Sequence, residues 1–146
     1  FKAYNDRYGY QRGSDVIAHV GDLIREVVAN HGSDDDLIGH VGGDDYIVLS
    51  RPDKAEDLAE GLIERLDALA PSFYSEEDRR AGSFVGTDRY GVERSFPLLS
   101  MSVAVVCSDN LAQPSASGIS RECAKMKEHL KNLPGSNFLI DRRKER

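Results

Sequence analysis

Hydrophobic side chains recur at helical spacing in the first third of the chain. The apolar positions within residues 13–31 lie three or four residues apart: Val16, Val20, Leu23, Ile24, Val27 and Val28. This spacing predicts an amphipathic helix with one apolar side facing a core. Gly32 follows directly and is a typical helix stop.

Two short apolar-rich runs, DLIGHV and DDYIVLS, follow the predicted helix and flank a pair of glycines. Glycine supplies the positive φ that tight turns need, so the pattern predicts a β-hairpin that turns at Gly42 and Gly43. Asp44 and Asp45 would then lie at the hairpin tip.

The middle of the chain predicts a second amphipathic helix. Asp53 precedes Glu56 by three residues, a spacing typical of a capping box at a helix start. Pro71 would end this helix. Its apolar positions are Leu58, Leu62, Leu66 and Leu69.

The remaining pattern predicts a second hairpin, a third helix and a closing strand. SFVGTD and VERSFPLLSMSVAVV flank the turn residues 89–91, and the second run predicts one long buried strand. Pro134 and Gly135 would stop the helix that follows, and NFLI is the closing strand. The apolar positions of that helix are Ile119, Cys123, Met126, Leu130 and Leu133.

These elements predict an α+β fold in one domain of residues 1–146. A 146-residue chain with 40% hydrophobic composition is long enough for a single core. The chain opens on the aromatic-rich FKAYNDRYGY without an initiator Met, so we expect an upstream strand and a longer parent protein. With that strand the order becomes a doubled β-α-β pattern with helices on an antiparallel-containing sheet.

Composition and charge narrow the choice of partners. The net charge of −6 argues against a general electrostatic grip on nucleic acid, but is compatible with a small phosphate-bearing ligand. No run approaches the roughly 18 apolar residues of a membrane span. Cys107 and Cys123 lack metal-site or CxxC spacing, so we expect reduced thiols in a cytosolic domain. The terminal RRKER is interpreted as a solvated tail or a linker start.

HVGGDDYIVL is the stretch most specific for chemistry. Its glycines leave backbone N–H groups open to phosphate oxygens, and its adjacent carboxylates can hold Mg²⁺ against a polyphosphate. The same residues are also ordinary hairpin-turn chemistry. This stretch alone supports a nucleotide site and a simple turn equally.

FKAYNDRYGYQRGSDVI followed by GHVGGDDYIVL resembles the GGDEF domain of diguanylate cyclases, in which FKxxNDxxGHxxGD precedes a GG(D/E)(D/E)F hairpin. GGDDY is then a variant of the family signature. PLLSMSVAVV is similar to the buried strand of the family, and AKMKEHLKNLPGSNFLI is similar to its closing helix, glycine segment and strand. The resemblance covers nearly the whole chain.

The resemblance implies a nucleotidyl-cyclase or palm-like fold. Its central sheet would be ferredoxin-like βαββαβ, with the first strand truncated and an extra β-hairpin before the long central strand. It also implies an enzyme that binds GTP in half-sites, with a homodimer bringing two half-sites face to face to form cyclic di-GMP. Mg²⁺ or Mn²⁺ is the implied cofactor. Attached sensory or effector domains, bacterial second-messenger signalling and a cytoplasmic location are implied as well.

Individual site residues carry over from the family motifs. Asp44 would hold metal and assist deprotonation, Asp45 would support the metal, and Gly42 and Gly43 would cradle phosphates. Asn5 matches the asparagine that hydrogen-bonds guanine, with a loop cap as the alternative. One metal-binding carboxylate is expected upstream of the chain. The other implied substrate contacts are Phe1, Lys2, Tyr10, Ser14 and Lys131.

Two departures concern the nucleotide base. Ser14 replaces an aspartate that reads guanine, and a hydroxyl discriminates less against adenine, so base choice could relax toward ATP. Asp15 is the alternative reader. Tyr10 replaces a frequent histidine beside the nucleotide.

Three departures concern phosphates and product. Lys131 lies where the family has a lysine that reaches the triphosphate, but with one extra residue before the glycine; a solvated helix-end lysine is the alternative. Ser136 replaces an arginine, so substrate binding should be weaker. Ser33 and Asp36 occupy the places of an RxxD product-inhibition site, and without the arginine we expect no tight feedback site.

The sequence therefore predicts a GGDEF-type cyclase that condenses two GTP into cyclic di-GMP and pyrophosphate. Two alternatives stay open. One is a degenerate GGDEF module that binds GTP or nothing and regulates an attached domain. The other is a relaxed-specificity cyclase that makes cyclic GMP–AMP. The two carboxylates favour catalysis, whereas Ser14 and Ser136 favour decay.

Overall fold

A computed structural model describes residues 1–144, and the last two residues of the RRKER tail lie outside that range. The α-helices of the described part are α1 Lys2–Tyr8, α2 Tyr10–His31, α3 Ala55–Leu69, α4 Glu76–Ala81 and α5 Ala116–Lys131. Its strands are β1 Leu37–Gly42, β2 Asp45–Leu49, β3 Ser83–Thr87, β4 Glu93–Pro97, β5 Ser102–Val106 and β6 Asn137–Asp141. The predicted mixture of helices and strands is confirmed.

Helix α2 is the first predicted amphipathic helix, and it begins at Tyr10 rather than at residue 13. Val16 and Val27 of its apolar stripe are buried, and the leucines of α3 pack against the stripe. At its end, the Gly32 N–H donates to the Val28 carbonyl at 2.8 Å. Burial of this stripe removes apolar surface from water and holds α2 against α3.

Strands β1 and β2 form the predicted antiparallel hairpin, but its turn lies one residue later than predicted. Gly42 is the last residue of β1 and pairs with Asp45, so the loop consists of residues 43–44. The register shifts between His40 and Gly42, as expected for a β-bulge that adds a residue to one strand.

Helix α3 confirms the second predicted helix, whereas its predicted capping box is wrong. A short 3-10 helix, Pro52–Lys54, precedes α3 and contains Asp53. The Asp53 carboxylate lies 3.2 Å from the Arg51 guanidinium. Proline favours this tight turn because its ring fixes φ near the helical value. Asp53 is therefore not the cap residue, since α3 begins only at Ala55.

The predicted long buried strand is wrong, because this segment forms two strands in different sheets. β4 pairs with β3 to complete the second predicted hairpin, whereas β5 pairs with β6. Between β4 and β5, the Leu99 N–H donates to the Tyr74 hydroxyl at 2.8 Å. This contact satisfies a backbone donor in the segment between the two strands, and Pro97, which has no N–H to donate, ends β4. Burial raises the pKa of Tyr74 to about 12.

The C-terminal elements confirm the third predicted helix and the closing strand. Ser115 caps α5 by accepting a hydrogen bond from the Gly118 N–H at 3.1 Å. Met126 and Leu130 are buried on its apolar side. β6 then pairs in parallel with β5. Strand, helix and strand thus form a β-α-β unit.

Two short helices, α1 and α4, were not predicted from the sequence pattern. Each is brief, but they are tied together by a buried carboxylate. Asp78 in α4 accepts two hydrogen bonds from the Arg7 guanidinium in α1, at 2.6 and 2.8 Å, and one from the Tyr8 hydroxyl. Ser75 caps α4 by accepting from the Asp78 N–H at 3.2 Å.

Helix α2 lies between two hydrophobic clusters, one shared with α3 and the first hairpin and the other shared with α1, Phe73 and Phe84. The strands within residues 1–144 form three two-stranded sheets, not the single central sheet that the resemblance implies. The ferredoxin-like order is therefore not confirmed.

Two further features bear on the class of protein. None of the helices in the described part of the chain is long and apolar enough to cross a membrane. Cys107 and Cys123 are free, half-buried thiols, and burial raises the pKa of Cys123.

Candidate functional site

The hairpin tip carries the glycines and carboxylates singled out by the sequence. Gly42 and Gly43 have positive φ values of 138° and 53°. Gly43 is the first loop residue, which is where a type II′ turn requires glycine. Asp44 completes the loop and Asp45 begins β2, and both are exposed. The prediction that both carboxylates lie at the tip is confirmed.

Three contacts of His40 and Tyr46 shape the base of this tip. The His40 ring stacks on the Tyr46 ring, with centroids 4.4 Å apart. His40 Nε2 lies 2.8 Å from the Gly43 carbonyl oxygen, and since that oxygen can only accept, Nε2 carries the proton. The Tyr46 hydroxyl donates to the Ile17 carbonyl of α2 at 2.7 Å. The hairpin is thereby fixed to the middle of α2.

Asn5 lies on α1 and faces the start of α2. A Cβ atom at Gly13 would lie 1.7 Å from Asn5 Oδ1, so only glycine leaves room for this side chain. Within residues 1–144, Asn5 Oδ1 is buried and has no hydrogen-bond partner. Since buried polar atoms are nearly always paired, this unpaired amide oxygen is an exception within the described residues.

One side of α2 contacts both the Asn5 side chain and the first hairpin. Gly13 meets Asn5, the Ile17 carbonyl accepts from Tyr46, and a Cβ at Gly21 would lie 3.3 Å from the Tyr46 hydroxyl. Residues four apart on a helix lie on the same side, one turn above the other. The hairpin and the Asn5 side chain therefore dock on neighbouring turns of one helix.

Lysines of α5 give the hairpin tip a positive neighbour. Lys127 Nζ donates to Asp45 Oδ1 at 2.8 Å. The hydrogen bond from Lys127 lowers the pKa of the Asp45 carboxyl below its usual value, and the charges of Lys127 and Lys131 lower it further. Lys131, the predicted phosphate contact, is the last residue of α5 and is exposed. Lys131 is thus close enough for its positive charge to stabilise the ionised Asp45 carboxylate.

The other predicted contacts lie around the junction of α1 and α2. Phe1 is half-buried and its ring centroid lies 5.8 Å from that of Tyr4. Lys2 begins α1 and is exposed, and Tyr10 begins α2 with 79% of its surface exposed. Ser14 is exposed on α2, directly after the glycine that accommodates Asn5.

Two serines at family arginine positions are used in local structure. The Ser136 hydroxyl donates to Asp67 Oδ1 at 2.6 Å and accepts from the Met101 N–H at 2.9 Å. Ser33 donates its N–H and hydroxyl to the Asp36 carboxylate at 3.0 and 2.9 Å. The Ser33 contacts close its own loop, whereas the Ser136 contacts link its loop to α3 and to the residue before β5.

Sequence reasoning missed Lys127 and the role of Gly13. Lys127 precedes Lys131 by four residues, so helical spacing places both on one side of α5. That spacing was a usable signal, but only the fold shows that this side meets Asp45. The contact between Gly13 and Asn5 depends on an α1 helix that was itself not predicted.

The donor set at the tip suits a hard divalent cation, because Asp44 and Asp45 offer exposed carboxylate oxygens. Among residues 1–144, no group of three or more histidine, cysteine or carboxylate side chains is positioned to share a metal ion.

The fold and these contacts define a mixed helix-and-strand domain in which a carboxylate-bearing glycine hairpin and a buried, unpaired amide oxygen contact neighbouring turns of α2. The family described as "Diguanylate cyclase, GGDEF domain" matches residues 1–91, more than half of the chain, so the chain belongs to the GGDEF family.

A curated relative is the bifunctional diguanylate cyclase/cyclic di-GMP phosphodiesterase MucR of Pseudomonas aeruginosa. It is 32% identical over 93 residues, which cover 62% of this chain and 13% of the relative. The chain thus spans only a small part of the length of that relative. No solved structure matches the chain.

Proposed function

We propose that this domain is a nucleotidyl cyclase that condenses two GTP molecules into cyclic di-GMP. Membership of the GGDEF family supports a cyclase-type role. The observation that carries the proposal is the junction on α2, where the unpaired amide oxygen of Asn5 and the glycine hairpin with Asp44 and Asp45 dock on neighbouring turns. GTP would need a polar contact for its guanine and carboxylates that hold the metal ion on its triphosphate. In this proposal Asn5 supplies the first, and Asp44 and Asp45 supply the second.

In the proposed reaction, the ribose 3′-hydroxyl of each GTP attacks the α-phosphorus of the other. Each attack breaks one α–β phosphoanhydride bond and releases one pyrophosphate, so two GTP give cyclic di-GMP and two pyrophosphates. Asp44, at the exposed tip, would accept the hydroxyl proton directly or through water. Asn5 would orient guanine, and Gly42 and Gly43 would let phosphates approach the backbone.

Asp44 and Asp45 would hold Mg²⁺ or Mn²⁺, with a third carboxylate proposed upstream of Phe1. A divalent cation supplies charge neutralisation at the transferring phosphoryl groups. Because the proposed reaction joins two nucleotides, a homodimer would bring the two half-sites together. We further propose that residues 1–146 form one cytoplasmic domain of a longer signalling protein, and that its complete sheet has the ferredoxin-like order.

A receptor module that binds GTP without turnover is the second candidate. It is favoured by Ser136, whose hydroxyl is committed to Asp67 and Met101, and by Ser14, which lacks the carboxylate that reads guanine. Relaxed base choice, with a cyclic GMP–AMP product, would follow from the same Ser14.

The test is product formation by the full-length protein. We expect GTP with Mg²⁺ or Mn²⁺ to give cyclic di-GMP, measured by chromatography, and Asp44→Asn to lower the rate at least about 100-fold because it removes a metal-holding carboxylate and proton acceptor. Ser117→Ala, an exposed change on α5, is the control. GTP binding without any cyclic dinucleotide, from GTP, ATP or both, would replace the cyclase with the receptor module.

A further inference from the structure

Lys127 forms an ion pair with Asp45, the carboxylate that the proposed function assigns to a metal ion. Its Nζ atom donates to Asp45 Oδ1 at 2.8 Å across 82 residues of sequence. The side chain of Lys127 is 31% exposed and that of Asp45 is 51% exposed. The lysine is thus the more enclosed partner, held by α5, while the carboxylate lies on the hairpin.

A lysine ammonium and a divalent cation compete for the same carboxylate oxygen. Both are attracted by the negative charge, but an exposed ion pair contributes only about 0.2–1 kcal/mol. Displacing the ammonium from Asp45 would therefore cost little. The displaced ammonium would stay beside the hairpin tip, on the side of α5 that also carries Lys131.

We propose that Lys127 is a positioning residue that holds Asp45 in place before nucleotide binds and contacts the nucleotide phosphates afterwards. The inference rests on the proposed function. Lys127 and Lys131 are four residues apart on one side of α5, so together they present two ammonium groups to one end of the site. The second lysine offsets the positive charge lost where Ser136 replaces the family arginine.

Removing Lys127 should change metal binding and nucleotide binding in opposite directions. In the full-length protein without nucleotide, Lys127→Met should bind Mn²⁺ about two- to fivefold more tightly than wild type, because the competing ammonium is gone. The free Mn²⁺ signal in electron paramagnetic resonance measures this affinity. Lys125→Met is the matched control, since Lys125 lies on the same helix and pairs with Glu122 at 3.4 Å.

With Mg²⁺ and a nonhydrolysable GTP analogue, Lys127→Met should bind the nucleotide about tenfold more weakly, since a charged phosphate contact is lost. Isothermal titration calorimetry measures this affinity. In an Asp45→Asn background, Lys127→Met should no longer raise Mn²⁺ affinity, because the carboxylate that both cations share has been removed.

Two results would overturn the inference. One is a Mn²⁺ affinity of Lys127→Met equal to that of Lys125→Met, and the other is unchanged affinity for the GTP analogue. A wild-type protein that binds the analogue but forms no product would instead refute the cyclase, and would leave the lysine measurement valid. The failure of each proposal is therefore seen in a different measurement.

Discussion

At the scale of single residues, Asn5 and Gly13 form the tightest fit in the candidate site. The missing side chain at Gly13 makes room for the amide of Asn5, whose oxygen is buried and unpaired within the described residues. Leaving a buried acceptor unpaired costs about 1–3 kcal/mol. Folding therefore bears the cost of leaving this oxygen unpaired.

Gly13→Ala separates binding from stability. Alanine favours a helix by about 1 kcal/mol over glycine, but its Cβ would displace the Asn5 side chain, which can rotate away. We expect an unchanged or raised Tm together with GTP affinity lowered about tenfold through loss of one hydrogen bond to the base. Thermal unfolding and calorimetry measure the two effects.

Gly39→Ala is the control for that experiment, because Gly39 has negative φ and a Cβ there would meet no atom within 4 Å. It should leave GTP affinity unchanged. Undiminished GTP affinity in Gly13→Ala would remove Asn5 from the site.

At the scale of elements, the position of α1 depends on Asp78. This carboxylate is 4% exposed and receives the guanidinium of Arg7 and the hydroxyl of Tyr8. The Tyr4 hydroxyl adds a hydrogen bond to the Phe73 carbonyl at 2.7 Å. These contacts tie α1 to residues that come about 70 positions later in the chain.

Asp78→Asn should lower the Tm of the 146-residue chain by roughly 5 °C at pH 7, because the charged hydrogen bonds to Arg7 and Tyr8 weaken. The Arg7 hydrogen bond is the main cause that lowers the pKa of Asp78 in the folded state. Its stabilisation is therefore fully present above the unfolded pKa of about 3.9 and is lost as the pH falls through the lower folded pKa.

The Tm difference between wild type and Asp78→Asn should accordingly shrink between pH 5 and pH 2, about the range in which carboxylates with lowered pKa titrate. Glu77→Gln, an exposed change in the same helix, is the control and should show little difference at any pH. A difference that stays constant with pH would show that Asp78 acts through packing and not through its charge.

Predictability from sequence differed between long and short elements. Helices α2, α3 and α5 were predicted because each presents several turns of apolar spacing. Helix α4 has six residues, too few for a periodic stripe, although Ser75 before an acidic first turn and Gly82 at positive φ after it were usable signals. The break between β4 and β5 follows Pro97, which argues against one continuous strand and was a usable signal that the prediction overlooked.

In the candidate site too, features set by local sequence were predicted and features set by distant contacts were not. The tip carboxylates were located by the local chemistry of a glycine turn. Lys127 was not, because the sequence does not show which side of α5 meets the hairpin, 82 residues away.

At the scale of the whole molecule, the loop after α2 bears on product feedback. The Asp36 carboxylate accepts from Ser33 at both of its oxygens and closes the loop. Neither side chain offers the guanidinium that grips phosphate and guanine. Ser33 and Asp36 therefore stabilise a turn and lack the arginine of a product-binding site.

We expect cyclic di-GMP not to bind at micromolar or lower concentration when a nonhydrolysable GTP analogue fills the proposed substrate site. Calorimetric titration of the full-length protein with cyclic di-GMP provides the measurement. GTP analogue titrated into the same sample before blocking is the positive control. Micromolar binding of cyclic di-GMP in the blocked protein would show that feedback does not need the missing arginine.

The docking of Asn5 and Tyr46 on one side of α2 has a consequence for how the domain can diverge. An α-helix rises about 1.5 Å per residue, so the contacts at Gly13 and Ile17 are about 6 Å apart along the axis. Helix α2 thus fixes the spacing between the Asn5 side chain and the hairpin. Under the proposed function, a substitution at an exposed position such as Ser14 would change base preference, while α2 would keep this spacing constant. Base preference and reaction geometry would then be free to evolve separately.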